Sequence, residues 1–304
     1  MIDLSTQIAS LRLQNPVLTA SGTFGYAEEF ADFYDLNRLG GVVTKTVTIE
    51  PRPGNAPPRI CETPAGMLNS IGLPNVGVEQ FIAEKWPFLS RLVNAVIINV
   101  AGKTPDDFVR AVERLDALDG IAAFELNYSC PNVKEGGLSF SSNPRVAEQV
   151  TAMVRKVTRR PLITKLTPNV TSISEIGRAC EAAGADAVSA INTLVGMAID
   201  IHSRKPRLAS ITGGLSGPAI RPVALAKVFE LARVLRIPVI GIGGIQSAAD
   251  ALEFILAGAA ALQIGTANFM NPGAALEVVE GLEHYCAGQK IARLMDLRGA
   301  VKLK

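Results

Sequence analysis

Residues 161–191 read PLITKLTPNVTSISEIGRACEAAGADAVSAI, and this stretch contains one complete repeat of the fold. The apolar run from Pro161 to Leu166 has the length of a buried strand, and a stretch with helical spacing follows from Ser172 to Ala183. Gly184 stands where that helix ends, and a second apolar run follows from Ala187 to Ile191. Strand, helix and strand within about 30 residues predict a parallel βαβ unit.

The same unit recurs along the chain, so that eight predicted strands alternate with helices. Eight strands and the lack of an early G-x-G-x-x-G turn favour a (β/α)8 TIM barrel over a doubly wound open sheet. Since such barrels form single units of this size, we expect one domain over residues 1–304. The predicted strands are Val17 to Ala20, Gly41 to Thr46, Ala95 to Val100, Ala122 to Asn127, Pro161 to Leu166, Ala187 to Ile191, Pro238 to Gly243 and Ala260 to Gly265. The predicted helices are Thr104 to Leu118, Pro144 to Thr158, Ser172 to Ala183, Arg221 to Leu235, Ala248 to Leu256 and Gly273 to Tyr285.

Three connections are long and rich in Pro, Gly, Asn and Ser: Val47 to Glu79, Tyr128 to Ser142 and Asn192 to Ile220. All three follow strands, so in a barrel they are extended βα loops. Such loops lie at the C-terminal face, where barrels build their active sites. The sequence therefore places its insertions on the functional side of the fold.

Composition narrows the ligand class. A net charge of +2 gives no reason to expect nucleic acid or an anionic membrane as partner, so a small molecule is the better expectation. No apolar window approaches about 18 residues and no signal peptide is visible, which indicates a cytoplasmic protein. Four scattered cysteines and two histidines predict that the chain holds no metal site or iron–sulfur cluster.

Two glycine turns follow the last two predicted strands, at residues 241–244 and at Gly265-Thr266. In barrels the loops after these strands often hold a phosphate through exposed backbone N–H groups. Together they predict a phosphorylated ligand. The alternative is that both are tight turns that need glycine for backbone reasons alone.

Cys130 lies in a polar loop directly after the fourth predicted strand, in the segment Asn127 to Asn132. A lone cysteine is usually a small buried apolar residue, and Cys61, Cys180 and Cys286 are interpreted in that way. The position of Cys130 at the C-terminal face instead predicts a catalytic base.

Lys45 and Lys165 lie inside the apolar runs of the second and fifth strands. A buried ammonium is unfavourable without a negative partner, so both predict an anionic ligand or intermediate, unless the side chains reach solvent at the strand ends. Asparagines follow several strands at the same face, in the segment from Asn69 to Asn75, at Asn99 and at Asn192-Thr193. Because amides both donate and accept hydrogen bonds, they suit a ring with alternating C=O and N–H groups.

These motifs resemble those of the class 1 dihydroorotate dehydrogenases, and specifically the class 1B catalytic subunit. The resemblance covers nearly the whole chain. The serine base and amino-terminal membrane extension of the class 2 enzymes are not found here. The motifs that carry the resemblance are, in order, ASGTFG (20–25), VVTKT (42–46), NSIGLPN (69–75), ELNYSCPNVKEGG (125–137), TKLTPN (164–169), INT (191–193), GGLSGPAIRP (213–222), GIGGI (241–245) and QIGTA (263–267).

The resemblance implies that Cys130 removes the C5 proton of dihydroorotate while a hydride leaves C6 for N5 of FMN. Lys165 would stabilise the negative charge that develops near N1 and the C2 carbonyl of the flavin. The residues implied to line FMN are Ser21, Lys45, Thr46, Asn99, Asn127, Lys165, Ile191, Gly217, Gly243, Gly244, Gly265 and Thr266. Those implied to hold the pyrimidine and its carboxylate are Lys45, Asn69, Ser70, Ile71, Gly72, Leu73, Asn127, Asn192 and Thr193, with no individual function given to Ser70 or to Tyr128.

The resemblance also implies a partner, an electron-transfer subunit that carries FAD and a [2Fe–2S] cluster and passes electrons to NAD. Two catalytic and two electron-transfer subunits would form a heterotetramer. Three alternatives stay open: a class 1A fumarate-linked homodimer, a dihydropyrimidine dehydrogenase-type barrel and a non-catalytic phosphate-binding barrel. The segment from Val133 to Gly137 looks more like class 1B than class 1A.

Overall fold

The computed structural model describes residues 2–128 and 142–303. Eight parallel strands form a closed barrel in which strands consecutive along the chain are neighbours and the eighth pairs with the first. The predicted (β/α)8 fold is therefore confirmed. Regular pairing in the second strand ends before Lys45, although Val47 still forms a parallel bridge with Val100. The barrel strands are Val17–Thr19, Gly41–Val43, Ala95–Val100, Ala123–Asn127, Leu162–Leu166, Ala187–Ala190, Val239–Ile242 and Ala261–Ile264.

Helices follow the strands, and four of them begin after a residue whose side chain caps the helix: Thr104, Asn143, Ser172 and Ser247. The Thr104 hydroxyl accepts a hydrogen bond from Asp107 N–H in a capping box, and Asn143 accepts one from Arg145 N–H. Gly184, at φ 95°, follows the end of its helix, as the sequence predicts. The predicted helices are observed as Pro105–Asp116, Pro144–Arg155, Ile173–Ala182, Arg221–Val234, Ala248–Leu256 and Ala274–Gly288. Helical segments that the sequence did not predict are Val78–Gln80, Phe81–Lys85, Trp86–Leu89 and Ala267–Met270, with short 3-10 turns at Glu28–Phe30, Leu36–Arg38, Pro218–Ile220 and Leu294–Leu297.

Strands inside two of the long connections were not predicted. They form a four-stranded antiparallel sheet, here called the outer sheet, that joins the connection after the second barrel strand to the one after the sixth. Glycine-rich strands such as Thr212–Ser216 carry little apolar alternation, which is why the sequence indicates only loops there. The outer sheet has the order Leu194–Met197, Thr212–Ser216, Gly66–Asn69 and Ile60–Thr63, and a two-residue hairpin pairs Ile199–Asp200 with Lys205–Pro206.

An amino-terminal hairpin, also not predicted, pairs Thr6–Ile8 with Leu11–Leu13. Ile8 and Leu13 are fully buried and pack against the apolar side chains that point into the barrel from all eight strands. The hairpin thus closes the apolar end of the barrel interior. The interior side chains in this cluster are Leu18, Val43, Ile97, Ala123, Ile163, Ala187, Ile240 and Ala261.

Helix length and polarity bear on membrane association. In residues 2–128 and 142–303, no helix combines the length and the apolar character that crossing a bilayer requires. Ala274–Gly288 has 15 residues, whereas a spanning helix needs about 20. The cytoplasmic location stays a prediction.

Candidate active site

Lys165 lies at the centre of a polar cluster at the C-terminal end of the barrel interior. Its side chain is only 7% exposed, and its ammonium lies 3.7 Å from Glu125 Oε1 and 3.4 Å from Ser21 Oγ. The sequence argument that a buried lysine needs a negative partner is correct. That partner is found within the protein, so the burial of Lys165 does not by itself require an anionic ligand.

Glu125 was missed by the sequence analysis, together with the two side chains that bind its second oxygen. Its carboxylate is fully buried, and Oε2 accepts hydrogen bonds from Ser189 Oγ at 2.8 Å and from Gln263 Nε2 at 2.6 Å. The signal was available, because Glu125 interrupts an apolar strand in the same way as Lys165. Only the closed barrel shows that strands four, five, six and eight bring these four side chains together.

Asn99 and Thr46 join the cluster from the third strand and the end of the second. Thr46 Oγ1 donates to Asn99 Oδ1 at 2.5 Å, and Asn99 Nδ2 donates to Glu125 Oε1 at 2.6 Å. These two bonds fix the orientation of the Asn99 amide. Four of the residues implied to line a flavin, Ser21, Thr46, Asn99 and Lys165, are therefore connected through a carboxylate that the resemblance did not include.

The asparagines of strands four and six also meet. Asn192 Nδ2 donates to Asn127 Oδ1 at 3.3 Å, and Asn192 Oδ1 accepts from Thr193 N–H at 2.8 Å. The Thr193 carbonyl accepts from Asn169 Nδ2 at 2.9 Å, so this turn is held on both sides. Three of the predicted substrate residues, Asn127, Asn192 and Thr193, are therefore joined in one hydrogen-bonded cluster above the barrel.

The segment from Asn69 to Leu73 is tied to that group through the outer sheet. Asn69 Nδ2 donates to the Gly214 carbonyl at 3.2 Å, and a Cβ on Gly214 would collide with the side chain of Thr193. Asn55 holds the next residues, with Nδ2 2.8 Å from Ser70 Oγ and its own N–H donating to the Ile71 carbonyl. Gly72 and Leu73 continue the turn at φ 79° and 54°. The outer sheet is therefore the element that brings Asn69 near Thr193.

In the turn after the seventh strand, the backbone conformation and close packing require glycine even without a ligand. Gly243 and Gly244 have φ of 132° and 73°, and a Cβ on Gly244 would lie 2.8 Å from the Gly217 carbonyl oxygen. A Cβ on Gly243 would lie 3.6 Å from Ile191 Cγ1. The turn brings together four residues that the sequence analysis assigned to the cofactor, but its glycines alone do not demonstrate a ligand.

Gly265 differs, because the protein does not require glycine there. A Cβ on Gly265 would meet nothing closer than Ala20 Cβ at 3.5 Å, and one on Gly22 would meet nothing within 4 Å. Thr266, which precedes the helix Ala267–Met270, donates its hydroxyl to Ser216 Oγ at 2.8 Å. The backbone is therefore open beside Ser21 and the eighth strand, as a phosphate or ring ligand at this point would need.

Lys45 is half-buried and has no ion pair within residues 2–128 and 142–303. Cys130, the predicted base, lies in residues 129–141, outside the described residues.

Burial raises the pKa of the Cys180 thiol to about 11 and also raises that of Cys286, which fits their interpretation as apolar core residues. Tyr128 is fully buried, and its hydroxyl lies 2.6 Å from Thr151 Oγ1. This packing agrees with the absence of any function given to Tyr128.

Fold and site together define a class of protein, a (β/α)8 barrel whose C-terminal end carries a buried Lys–Glu pair, a group of amides and an open glycine backbone. The sequence profile of the dihydroorotate dehydrogenase family matches residues 3–286. The chain belongs to the dihydroorotate dehydrogenase family.

Relatives similar to this chain over nearly their whole length have the name dihydroorotate dehydrogenase B (NAD(+)), catalytic subunit. The protein of Pelobacter propionicus is 56% identical over 300 residues, which is 99% of each chain. That of Trichlorobacter lovleyi is 56% identical and covers 98% of each chain. That of Geobacter sulfurreducens is 52% identical and covers 99% of each chain.

Proposed function

We propose that this protein oxidises (S)-dihydroorotate to orotate, a step of de novo pyrimidine (UMP) biosynthesis, as an NAD-linked class 1B dihydroorotate dehydrogenase. The observation that carries the proposal is the combination, at one end of the barrel, of the Lys165 ammonium, the amides of Asn127 and Asn192 and the open backbone at Gly265. Family membership and the names of the relatives support the same activity.

FMN is the cofactor we propose, and when bound it supplies the acceptor for a hydride. Gly265, Thr266 and the turn at Gly243-Gly244 would hold its phosphate through backbone N–H groups. Lys165 and Asn99 would meet the ring, where a fixed positive charge stabilises negative charge that develops during the reaction. The free space at Gly265 and Gly22 supports this placement, since a Cβ would fit there without displacing any atom of the protein.

Asn69, Asn127, Asn192 and Thr193 would bind the pyrimidine through its alternating C=O and N–H groups, with Lys45 near its carboxylate. The hydrogen bonds that join Asn127 to Asn192 and Asn192 to Thr193 support a common site, as does the bond from Asn69 to Gly214, which lies against Thr193. Cys130 would take the C5 proton while a hydride leaves C6 for the flavin, so that dihydroorotate loses two protons and two electrons in all. The position of Cys130 directly after the fourth barrel strand supports this role.

A second subunit completes the proposal: an electron-transfer chain with FAD and a [2Fe–2S] cluster, paired with this chain in a heterotetramer of two copies of each. The word "subunit" in the relatives' names supports a partner. So do large apolar side chains exposed on and beside the outer sheet, because exposed apolar patches often mark interfaces. They include Val195, Met197, Ile199, Ile201 and Ile211.

The proposal is tested on the purified chain. We expect it to be yellow, to release FMN on denaturation and to lose its flavin absorbance anaerobically with dihydroorotate. Dihydrouracil is the matched control, and faster bleaching with dihydrouracil would assign a dihydropyrimidine dehydrogenase-type reaction instead. A colourless chain that does not take up FMN would contradict the assignment.

The partner is tested by the electron acceptor. We expect the isolated chain to give no dihydroorotate:NAD activity and the chain co-expressed with the candidate partner to give full activity. NAD-linked turnover by the isolated chain would remove the need for a partner. Fumarate-linked turnover would move the assignment to class 1A.

A further inference from the structure

Glu125 is a fully buried carboxylate that the proposed chemistry does not use. It belongs to the fourth barrel strand, two residues before Asn127, and its side chain is fully buried in the barrel interior. An uncompensated charge at such a position is strongly unfavourable, so its partners show what it does.

Four side chains from four other strands or their ends approach the Glu125 carboxylate. Asn99 Nδ2 lies 2.6 Å from Oε1, while Ser189 Oγ and Gln263 Nε2 lie 2.8 and 2.6 Å from Oε2. Both oxygens therefore accept hydrogen bonds from neutral donors, as an ionised carboxylate does. The fourth partner is the Lys165 ammonium, at 3.7 Å from Oε1.

The Lys165 distance matters because it exceeds that of a direct hydrogen bond. The ammonium donates a long hydrogen bond to Ser21 Oγ, at 3.4 Å. The carboxylate thus attracts Lys165 electrostatically without occupying its N–H donors at close range. The N–H donors that do not point at Ser21 stay available to a ligand above the cluster.

We propose that Glu125 is a positioning residue that holds the Lys165 ammonium and the Asn99 amide against the flavin and lowers the positive charge the flavin meets. The inference rests on the proposed function, because it requires FMN at the barrel mouth. Asn99 contributes to it since its amide is fixed between Thr46 and Glu125. Glu125 acts through these two side chains and does not touch the reacting atoms.

Glu125→Gln removes the charge and leaves the shape. The new amide nitrogen can take the place of Oε2, because Ser189 Oγ is also an acceptor and Gln263 Oε1 has no partner among the described residues, so a flip of the Gln263 amide would receive it. Loss of the negative charge makes reduction of the flavin easier. We expect the midpoint potential of bound FMN to rise, with the reduction equilibrium shifted by about tenfold, which is about 30 mV for a two-electron couple.

Glu125→Asp keeps the charge but withdraws it from Lys165 and Asn99. We expect a midpoint potential close to that of the wild type, together with slower reduction by dihydroorotate at a nearly unchanged KM. The two variants therefore separate charge from position. Asp116→Asn is the matched control, because Asp116 forms a partly buried ion pair with Arg160, at 3.0 Å, near the opposite ends of the strands, and it should change neither quantity.

The experiment measures the FMN dissociation constant, the midpoint potential and the anaerobic reduction rate of all four proteins. An unchanged potential in Glu125→Gln, or the same change in Asp116→Asn, would overturn the charge effect. If Glu125→Gln does not fold, wild-type reduction kinetics in Glu125→Asp would overturn the positioning role. If the wild-type chain binds FMN and is bleached by dihydroorotate, either of these results contradicts only the role of Glu125. If the wild-type chain binds no FMN, the proposed function is overturned as well.

Discussion

The interior of the barrel has two layers that differ in chemistry although they lie on the same strands. Ile97, Ala123 and Ile163 point inward in an apolar layer closed by the amino-terminal hairpin. Two residues further along each strand, Asn99, Glu125 and Lys165 point inward in a polar layer at the C-terminal end. The step of two residues keeps the side chains on the same face of each strand.

The difference shows how one scaffold separates stability from chemistry. Burial of the apolar layer stabilises the fold, and its side chains need no charged or hydrogen-bonding partner. The polar layer is unfavourable unless every charge and hydrogen bond is matched, so its strands must be held in register first. The apolar layer and the amino-terminal hairpin hold the strands in register. That register places Lys165 and Glu125 in the polar layer. The following substitutions test this separation, from the largest expected effect to the smallest.

Cys130→Ser should give the largest loss. We expect turnover near neutral pH to fall by about 100-fold or more, because a hydroxyl is a much weaker base than a thiol, while FMN stays bound. Activity should recover in part as pH rises and more of the hydroxyl ionises. The measurement is a pH–rate profile of both proteins, with Cys61→Ser as the control that keeps turnover. Wild-type turnover of the serine variant at neutral pH would exclude Cys130 as the base.

Lys165→Ala should lower the rate of flavin reduction by about 100-fold while dihydroorotate affinity changes little. The negative charge that Lys165 stabilises on the flavin develops only during hydride transfer. Stopped-flow reduction over a range of dihydroorotate concentrations separates rate from affinity. Lys227→Ala, in an ion pair with Glu230 on a peripheral helix, is the control. An unchanged rate with weaker binding would make Lys165 a ligand of the orotate carboxylate instead.

Ile163→Ala, two residues before Lys165 on the same strand, should show the opposite pattern. Ile163 is fully buried in the apolar layer, so its truncation leaves a cavity and should lower the free energy of unfolding by about 3 kcal/mol. The reduction rate at low temperature should stay within about twofold of the wild type, since the substitution removes no charge and no hydrogen bond. Denaturant unfolding and stopped-flow reduction measure the two quantities. A slowed reduction with unchanged stability would contradict the separation of the two layers.

Much of this architecture follows from local sequence. Each predicted barrel strand is observed within a few residues, and the helices predicted near Thr104 and Pro144 begin directly after the capping residues Thr104 and Asn143. The outer sheet and the amino-terminal hairpin were missed because their strands are only three to five residues long. The outer sheet also depends on the pairing of Gly66–Asn69 with Thr212–Ser216, far apart in the chain, and the hairpin on the packing of Ile8 and Leu13 against the barrel interior. Glu125 was missed for a different reason: it was treated as part of an apolar strand, although the argument applied to Lys165 applied to it equally.

By itself the sequence determined the eight-strand repeat, the side of the barrel that carries the insertions, and the family resemblance that names the candidate residues. These depend on periodicity, capping and motif order, all of which lie within short stretches of chain. Only the tertiary structure decided that the negative partner of Lys165 is Glu125, that the outer sheet brings Asn69 near Thr193, and that Gly265 is open whereas Gly244 is crowded. Those facts depend on which strands become neighbours when the barrel closes, and a distance between residues far apart in the chain is fixed by that closure.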